Sequence, residues 1–288
     1  MCKNKSKLTE FDIIFPTNES AVNYFKCLRE QQGLSCRNCG SSAHKWLEKK
    51  KMWQCTLCRK RMSVKVGTFM EHSKMPERDW LMMIFFMMLS RQSISALSLK
   101  SILGYSRYET VWYMLQRIRN SMGAENRRSL LQRKSDPLTL HSQPFELRFR
   151  SNAMVDRVRE ISLTVEKSYN SKNRIFLLAH PGMVKVNGCE TNEMGEYRYR
   201  YRSVKTNAHL DYTQIIEEGK PSKKAAKWVK NVLFNLKCKL KGVHHFVMPY
   251  YLQLYLDEFV FRYNLRDESE IFKVAVETLI QLVGHDCG

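Results

Sequence analysis

Two Cys-x-x-Cys pairs, fifteen residues apart, lie in the stretch CRNCGSSAHKWLEKKKMWQCTLC. Each pair can point both sulfurs at one ion from a single tight turn, and two such turns complete a tetrahedral four-thiolate site. We therefore predict a zinc ribbon in which Cys36, Cys39, Cys55 and Cys58 bind one structural Zn²⁺ ion. The spacing disfavours the alternative of four unrelated buried cysteines. Metal binding would supply about 10 kcal/mol of folding free energy to a segment too small to hold its own core.

The residues between the two pairs are typical of a β-hairpin over 45–54 with a charged tip. Eight Lys or Arg residues and a single acid, Glu48, lie between Lys45 and Lys65. A lysine-rich hairpin can simply be solvated, but a ribbon face with this charge is also suited to binding phosphates. We predict DNA contacts from six residues of this face: Lys49, Lys50, Lys51, Arg59, Lys60 and Arg61.

The whole chain has the same bias, because 48 Lys and Arg residues against 28 Asp and Glu residues leave a formal charge of +20. This charge attracts polyanions, so double-stranded DNA is the first partner expected and an anionic membrane surface the second. The densest apolar run, Trp80 to Leu89, has ten residues, whereas a membrane crossing needs about twenty. We predict a buried helix there and no membrane partner.

The start of the chain has no signal-peptide pattern, since Met1 to Glu10 is polar. We therefore expect a reducing, cytoplasmic compartment, with association to the nucleoid if the source is bacterial. In that compartment the cysteines outside the two pairs are expected to be free thiols: Cys2, Cys27, Cys189, Cys238 and Cys287.

The sequence around the ribbon predicts helices. One begins with Asn18 as its N-cap and leads into the ribbon. After the apolar run, a short helix capped near Ser93 ends at Gly104, and a second helix runs from Ser106 to a stop at Gly123. Two helices joined by a Gly-containing turn indicate a helix-turn-helix. The second helix offers two further candidate DNA contacts, Arg107 and Arg117.

The second half of the chain predicts an α+β domain, because strands come first and helices follow. Residues 124–159 are polar without a steady period and read as a linker. Strands are predicted at 161–165, 174–179, 183–186 and 197–202. An amphipathic helix over 222–241 contains no acid, and its lysines, among them Lys230 and Lys237, are candidate DNA contacts. In the next helix Glu258 is placed to pair with Arg262.

Several segments, in order, resemble one known family. They are CRNCG through CTLC, RKRMSVKVGTFMEHSKMPERDW, QSISALSLKSILGYSRYETVWYMLQRIRNSMG, KLKGVHH and YLQLYLDEFVFRYNLR. Together they are similar to insertion-sequence transposases of the ISXO-like group, zinc-ribbon enzymes related to the Merlin elements. The resemblance implies a ribonuclease-H-like domain that cuts and joins DNA with Mg²⁺ held by acidic residues. Carboxylates suit this chemistry because two hard cations about 4 Å apart activate the attacking oxygen and stabilise the leaving one.

The chain departs from this family at the expected ligand positions. The first aspartate of the family lies in a strand of the type Val-Glu-Leu-Asp-Glu, and the nearest counterpart here has Thr164 or Val165 at that place. The chain has no Asp-Gly pair for the second aspartate, and Lys230 stands at the third position. We therefore expect that catalysis is lost. Three acids could in principle regroup as ligands: Glu166, Glu196 and Asp211.

The fold expected from these patterns is α+β and multidomain. The domains are an N-terminal helix (1–32), a zinc ribbon (33–70), a helix-turn-helix-like DNA-binding domain (71–125), a linker (126–159), a degenerate ribonuclease-H-like domain (160–266) and a C-terminal helix (267–288).

The function expected is that of a transposase-like, zinc-dependent DNA-binding protein that binds transposon ends or a site derived from them. Mg²⁺ is expected only if catalysis survives. Two alternatives stay open: an active transposase with atypical metal ligands, and a zinc-ribbon module that binds another protein. A homo-oligomer is left open, because transposition pairs two DNA ends.

Overall fold

The computed structural model describes residues 2–90, 93–131, 138–142, 161–166, 174–179, 216–217, 231–240 and 251–281. The chain divides into two compact units, one formed by Met1–Ser121 with Glu268–Gly288 and the other by Met122–Asp267. Most of the described secondary structure is helical. Within the described residues, no helix is both long and apolar enough to cross a membrane. The predicted strands at 183–186 and 197–202 lie outside the described residues.

The N-terminal unit combines helices with one small sheet. Its elements, in chain order, are α1 (Cys2–Ile14), α2 (Asn18–Gln31), β1 (His44–Leu47), β2 (Met52–Cys55), β3 (Arg61–Ser63), α3 (Glu77–Leu89), α4 (Ala96–Leu103), the first part of α5 (Tyr108–Leu131) and α8 (Ile271–Gln281). The sheet is antiparallel in the order β1-β2-β3. The predicted hairpin is confirmed, with a 3₁₀ turn at Glu48–Lys50 as its tip.

The N-cap of α2 lies one residue before the position that the sequence predicts. Thr17, not Asn18, is the N-cap: its hydroxyl accepts from the backbone N–H of Ser20 at 3.2 Å, and the Ser20 hydroxyl accepts from the Thr17 N–H at 3.3 Å. The Asn18 side chain instead accepts from the N–H of Arg78 at 2.9 Å. Asn18 therefore ties α2 to the beginning of α3.

Helix α3 is buried on all sides, as the apolar run predicts. Every residue from Trp80 to Met88 is buried. One side of α3 meets α1, where the rings of Phe11 and Phe85 lie 5.3 Å apart. The same Phe85 ring also meets α8, where the ring of Phe272 lies 5.4 Å away. The core of this unit is therefore built from both ends of the chain.

The predicted helix pair α4 and α5 is present, but α5 ends later than predicted. Ser95, two residues after Ser93, is the N-cap of α4, and its hydroxyl accepts from the N–H of Ser98 at 3.1 Å. Gly104 ends α4 in the left-handed conformation with φ of 72°, which glycine adopts without steric cost. Helix α5 does not stop at Gly123 but continues to Leu131, so the predicted linker begins with helix.

Gly123 has a packing role instead of a terminating one. A Cβ atom at this position would lie 2.3 Å from Oδ2 of Asp257, which belongs to α7 (Leu252–Asn264). Asn126, one turn further along α5, donates to the backbone carbonyl of Asp257 at 3.0 Å. The missing side chain at Gly123 therefore lets α7 approach α5 closely, which a pattern of helix-ending residues cannot reveal.

The second unit contains four described strands and two helical segments besides the end of α5. The strands are β4 (Leu138–Ser142), β5 (Ile161–Glu166), β6 (Arg174–Ala179) and β7 (Ile216–Glu217), and the sheet order is β6-β5-β4-β7. β4, β5 and β6 are antiparallel neighbours, and β7 pairs parallel to β4. Residues 231–240 form the described part of a helix, α6, and α7 follows. β4 lies within the region predicted to be a linker.

Helix α7 holds the outer edge of β6 through one side chain. Asn264 Oδ1 accepts from the backbone N–H of Ile175 at 2.9 Å, and Asn264 Nδ2 donates to the Ile175 carbonyl at 3.1 Å. Because β6 is an edge strand among the described strands, the amide of Asn264 takes the place of a neighbouring strand at this residue. On the same helix, the predicted pair of Glu258 and Arg262 is confirmed, with Arg262 Nη1 3.7 Å from Glu258 Oε1.

Replacing Asn264 with alanine is expected to destabilise the second unit by about 2 kcal/mol, because a donor and an acceptor of Ile175 lose their partner in a partly buried place. Urea denaturation followed by circular dichroism measures the change. The matched control is Asn235→Ala on α6, where the side chain is exposed. Equal stabilities of the two variants would show that the Asn264 amide does not hold the strand edge.

Candidate metal centre and nucleic-acid surface

The four predicted ligand cysteines come together in the N-terminal unit. The sulfur atoms of these residues all lie within 4.8 Å of one another: Cys36, Cys39, Cys55 and Cys58. The Sγ atoms of Cys36 and Cys58 are 3.5 Å apart, and those of Cys39 and Cys55 are also 3.5 Å apart. A tetrahedral zinc site with Zn–S bonds of about 2.3 Å places its sulfurs about 3.8 Å from one another. The cluster therefore has the size and donor set of a four-thiolate metal site.

A disulfide does not account for the cluster. Bonded sulfurs lie about 2.05 Å apart, well below the shortest separations here. Cys36 and Cys55 are buried, and Cys39 is exposed. The cluster could therefore bind a metal such as zinc, and soft thiolates favour zinc over the hard cations Mg²⁺ and Ca²⁺.

The first pair of cysteines sits on a tight turn. The N–H of Gly40 donates to the carbonyl of Cys36 at 2.7 Å, and the N–H of Cys36 donates to the carbonyl of Ser41 at 2.9 Å. Gly40 has φ of 71°, a left-handed conformation that favours glycine. The turn explains why a glycine directly follows the second cysteine of this pair.

The second cysteine pair lies on the same kind of turn, in which Cys55 exchanges hydrogen bonds with the residues four and five positions later. The N–H of Arg59 donates to the carbonyl of Cys55 at 3.1 Å, and the N–H of Cys55 donates to the carbonyl of Lys60 at 2.9 Å. Arg59 takes the place of Gly40 and has φ of 61°. A side chain in this conformation costs about 1 kcal/mol relative to glycine. Arg59 therefore has a strained backbone conformation directly beside the four-cysteine cluster.

Backbone amides of these turns stabilise sulfur in its thiolate form. The N–H of Lys60 is the main cause of the lowered pKa of Cys58, about 6. The N–H of Cys58, followed by that of Leu57, lowers the pKa of Cys55. For Cys39 the N–H of Ser41 acts in the same direction, but the neighbouring sulfurs outweigh it and raise its pKa to about 12. Several thiolates this close repel one another, and a divalent cation removes that repulsion.

Apolar side chains pack against one side of the four-cysteine cluster. Met62 is buried against Cys36 and Cys55, and Leu34 and Val66 pack on the same cluster. This lining separates the sulfurs from water on that side and holds the two turns together.

Side chains of helix α2 form hydrogen bonds with the ribbon. The indole N–H of Trp53 donates to Glu30 Oε1 at 2.9 Å, and Arg29 donates to the carbonyl of Val66 at 2.5 Å. Burial, followed by the nearby charge of Arg37, lowers the pKa of Arg29 to about 10, so the guanidinium is still charged at neutral pH. Two partly buried hydrogen bonds therefore join the ribbon to α2.

The two faces of the sheet differ in chemistry because side chains alternate along each strand. Trp46, Trp53 and Met62 are directly opposite one another on neighbouring strands and form an apolar row. The next row, on the other face, consists of Lys45, Gln54 and Arg61. Lys45 and Arg61 are exposed. The face turned away from the apolar row is thus polar and basic.

The structure places the six predicted ribbon contacts differently. Lys49 and Lys50 are exposed at the hairpin tip, and Arg59, Lys60 and Arg61 are exposed at the opposite end, next to the metal cluster. Lys51 is instead engaged within the protein: its ammonium lies 2.5 Å from Glu19 and 3.1 Å from Glu48. Lys51 also has a left-handed φ of 48° where the 3₁₀ turn ends. These contacts indicate that Lys51 fixes the hairpin tip.

One basic residue of this face escaped the sequence prediction. Lys45 lies in line with Arg61 across β2, each of them paired with Gln54. Lys45 is isolated in the sequence, and its place beside Arg61 follows from the strand register. We name the set of Lys45, Lys49, Lys50, Arg59, Lys60 and Arg61 the basic sheet face.

The remaining predicted contacts are partly described. Arg107 is exposed just before α5. Arg117 lies on α5 and is partly exposed. Lys237 is partly exposed on α6, and Lys230 lies outside the described residues.

The three acids proposed as substitute ligands are not gathered by the described structure. Glu166 is the last residue of β5, opposite Arg174 of β6. Glu196 and Asp211 lie outside the described residues. A strand that the sequence did not predict, β4, precedes Ile161–Glu166 and pairs with it. β4 reads Leu-Thr-Leu-His-Ser and contains no acid.

Comparison with known proteins gives one match. Residues 195–264 match the ISXO2-like transposase domain. No curated protein and no solved structure matches the chain. The matched segment covers less than half of the chain and includes the described part of α6 and all of α7. The predicted resemblance to this transposase family is confirmed for that segment.

Proposed function

We propose that this protein is a transposase-derived, zinc-dependent DNA-binding protein that binds transposon ends, or a site derived from them, and has lost catalysis. The observation that carries the proposal is the basic sheet face, held in place by a four-cysteine cluster in a chain that also contains a transposase-family domain.

The layout of the basic sheet face suits the backbone of a duplex. Strands of four residues rise about 3.3 Å per residue, so the hairpin tip and the second cysteine turn lie about 13 Å apart. Phosphates follow one another at about 3.4 Å along the axis of each DNA strand, and the face therefore spans about four steps. Zinc contributes by holding the cysteine turn, on which Arg59 and Lys60 project, against the sheet.

The strain at Arg59 supports this assignment. A glycine would adopt the left-handed conformation at lower cost, as Gly40 does in the equivalent turn. A non-glycine residue in a strained backbone conformation is typical of a functional position. An exposed guanidinium beside the metal centre is well suited to a phosphate oxygen.

The second unit supports a transposase ancestry without a magnesium site. Three successive antiparallel strands, extended by a strand parallel to the first of them, fit the ribonuclease-H-like sheet that the resemblance implies. Counted against Val-Glu-Leu-Asp-Glu, β4 has His141 at the place of the aspartate. An imidazole at that place and a lysine, Lys230, at the third position do not supply the oxygen ligands that Mg²⁺ requires.

The proposal predicts that the affinity for DNA falls steeply with salt and that removing basic residues of the sheet face makes this fall less steep. The triple variant Lys49→Ala, Lys50→Ala, Arg61→Ala should bind duplex DNA more weakly and lower the slope of log affinity against log salt by about 0.9 for each lost phosphate contact. Fluorescence anisotropy with a mixed-sequence duplex of about two helical turns, between about 50 and 200 mM salt, measures the slope.

The control is Lys273→Ala, which removes one exposed cation on α8 that pairs with Glu270 at 3.2 Å. Its slope should equal that of the unchanged protein. Binding that does not depend on salt, or a triple variant with an unchanged slope, would contradict the basic sheet face as the DNA contact. Absence of any duplex binding at low salt would favour the protein-interaction alternative. Strand transfer on transposon ends with Mg²⁺ or Mn²⁺ would show that catalysis survives.

A further inference from the structure

One face of α5 presents polar side chains on successive turns. Tyr113 is 51% exposed, Arg117 follows one turn later, and Asn120 is exposed one further turn along. Residues three or four apart share a helix face, so the three side chains form one stripe. The opposite face of the same helix is fully buried: Val111, Met114, Leu115 and Ile118.

Tyr113 and Arg117 form a pair within this stripe. The guanidinium carbon of Arg117 lies 5.6 Å from the centre of the Tyr113 ring, and its NH1 donates to the Tyr113 hydroxyl at 3.1 Å. The contact fixes the direction of a long side chain that would otherwise lose rotamer freedom on binding a partner. Arg117 is therefore pre-organised before any ligand arrives.

The pair leaves donors of Arg117 available. Across the described part of the chain, the Tyr113 hydroxyl is the hydrogen-bond partner shown for the guanidinium, and it uses one nitrogen. A guanidinium has five N–H donors in a fixed plane, which matches acceptors arranged side by side. Such a pair of acceptors, O6 and N7, is presented by guanine in the major groove.

We propose that the Tyr113–Arg117 pair is the sequence-reading element of this protein, with Arg117 donating to a guanine edge and Tyr113 holding the guanidinium in plane. The proposal rests on the DNA binding proposed above and adds a reading site to it. Helix α5 follows the short helix α4 across a turn at Gly104, which is the helix-turn-helix order in which the second helix enters the major groove.

Contacts to bases and contacts to phosphates have different consequences, and this separates the two roles. Loss of a bidentate contact to guanine relaxes preference at one base pair, whereas loss of a phosphate contact weakens binding to all sequences alike. The basic sheet face supplies the second kind of contact. The Tyr113–Arg117 pair is assigned the first.

The test selects bound duplexes from a randomised library with full-length, zinc-loaded protein. The unchanged protein should enrich a site with a strong guanine preference at one position. Arg117→Ala should lower that preference about tenfold or more and leave the other positions as they were. Tyr113→Phe, which keeps the ring but removes the hydroxyl acceptor, should weaken the same position by less. Arg117→Lys should not restore it, because a lysine lacks the planar fork.

Lys273→Ala is the matched control for the loss of one positive charge, and it should leave the selected site unchanged. Zinc content and thermal unfolding of each variant check that the fold is intact. Three results would overturn the proposal. One is an Arg117→Ala protein that binds all sequences equally more weakly, with a salt slope reduced by about one, which is the behaviour of a phosphate contact. The second is an unchanged protein that binds duplexes but enriches no site. The third is an unchanged protein that binds no duplex, which would also remove the proposed function.

Discussion

Replacing Cys55 with serine is expected to abolish stoichiometric zinc binding and to lower the free energy of unfolding of the N-terminal unit by more than about 3 kcal/mol. A complete four-thiolate site contributes about 10 kcal/mol of apparent folding free energy, and a serine hydroxyl is a poor substitute for a thiolate. Cys55 is fully buried against Met62 and accepts amide hydrogen bonds from its own turn. A neutral serine hydroxyl would accept these amide hydrogen bonds more weakly than a thiolate does.

The loss should extend beyond the metal. Trp53, two residues before Cys55, is buried and donates to Glu30 on α2. A ribbon that opens at Cys55 would release this contact together with the hydrogen bond from Arg29 to Val66. Metal analysis of the purified protein and urea denaturation followed by circular dichroism measure the two effects.

The matched control for Cys55→Ser is Cys27→Ser. Cys27 is an exposed thiol on α2 outside the metal cluster, and its sulfur accepts from the Gln31 side chain at 3.5 Å. The same chemical change there should alter stability by no more than about 0.5 kcal/mol. A Cys55→Ser protein that keeps one zinc ion and the stability of the control would contradict the assignment of the cluster.

Replacing Leu279 with alanine should destabilise the N-terminal unit by about 3 kcal/mol, although this residue lies far from the ribbon in sequence. Leu279 is fully buried on α8, beside Ala275 and Val276, which are also fully buried. Removing a large buried side chain loses its transfer free energy and leaves a cavity. Ending the chain at Asp267 should have a larger effect, because it removes all of α8.

The reason for so large an effect is that α8 completes a core begun by the first residues of the chain. The ring centre of Phe272 lies 6.1 Å from that of Phe15 and 5.4 Å from that of Phe85. The Gln32 side chain donates to the carbonyl of Glu277 at 2.9 Å. Without α8 these aromatic rings would face water, at a cost of about 25 cal/mol for each Å² of apolar surface exposed.

Thermal unfolding of zinc-loaded protein tests this prediction. Lys273→Ala, on the exposed side of the same helix, is the control and should shift stability by no more than about 0.5 kcal/mol. If Leu279→Ala unfolds at the same temperature as this control, or if the chain ending at Asp267 keeps its zinc and its stability, α8 is not part of the N-terminal core.

The four-cysteine cluster and the hairpin could be predicted from sequence because their determinants are local. Four cysteines at fixed spacing and alternating aromatic and polar residues around a charged tip determine both turns and both strands. Gly40 and Arg59 occupy equivalent positions in the two cysteine turns, which the spacing also indicates, although the strain at Arg59 becomes visible only from its backbone angle.

Long-range contacts explain what the sequence could not reveal. Helix α1 has no clear apolar stripe and is held by Phe11 and Phe15, so its polar composition resembles an unstructured start. Gly123 has the residue type of a helix stop, but its use depends on Asp257, far along the chain. Lys51 resembles its neighbouring lysines in sequence and differs from them through the pairing with Glu19.

The candidate DNA surface was predictable in outline and not in detail. A run of lysines indicated the hairpin tip, whereas Lys45 joins the basic sheet face only through the strand register. Tyr113 was not predicted as a partner of Arg117, because an isolated tyrosine on a helix indicates no ligand until its hydrogen bond is seen.

The most direct test of whether a metal-held sheet binds DNA is the affinity for a duplex of about two helical turns at low salt. The affinity is measured before zinc removal, after removal by a chelator, and after zinc is restored. We expect binding in the loaded protein, loss of at least about tenfold in affinity after zinc removal, and recovery when zinc returns. Equal affinity in the loaded and metal-free states, or no binding by the zinc-loaded protein, would contradict the account.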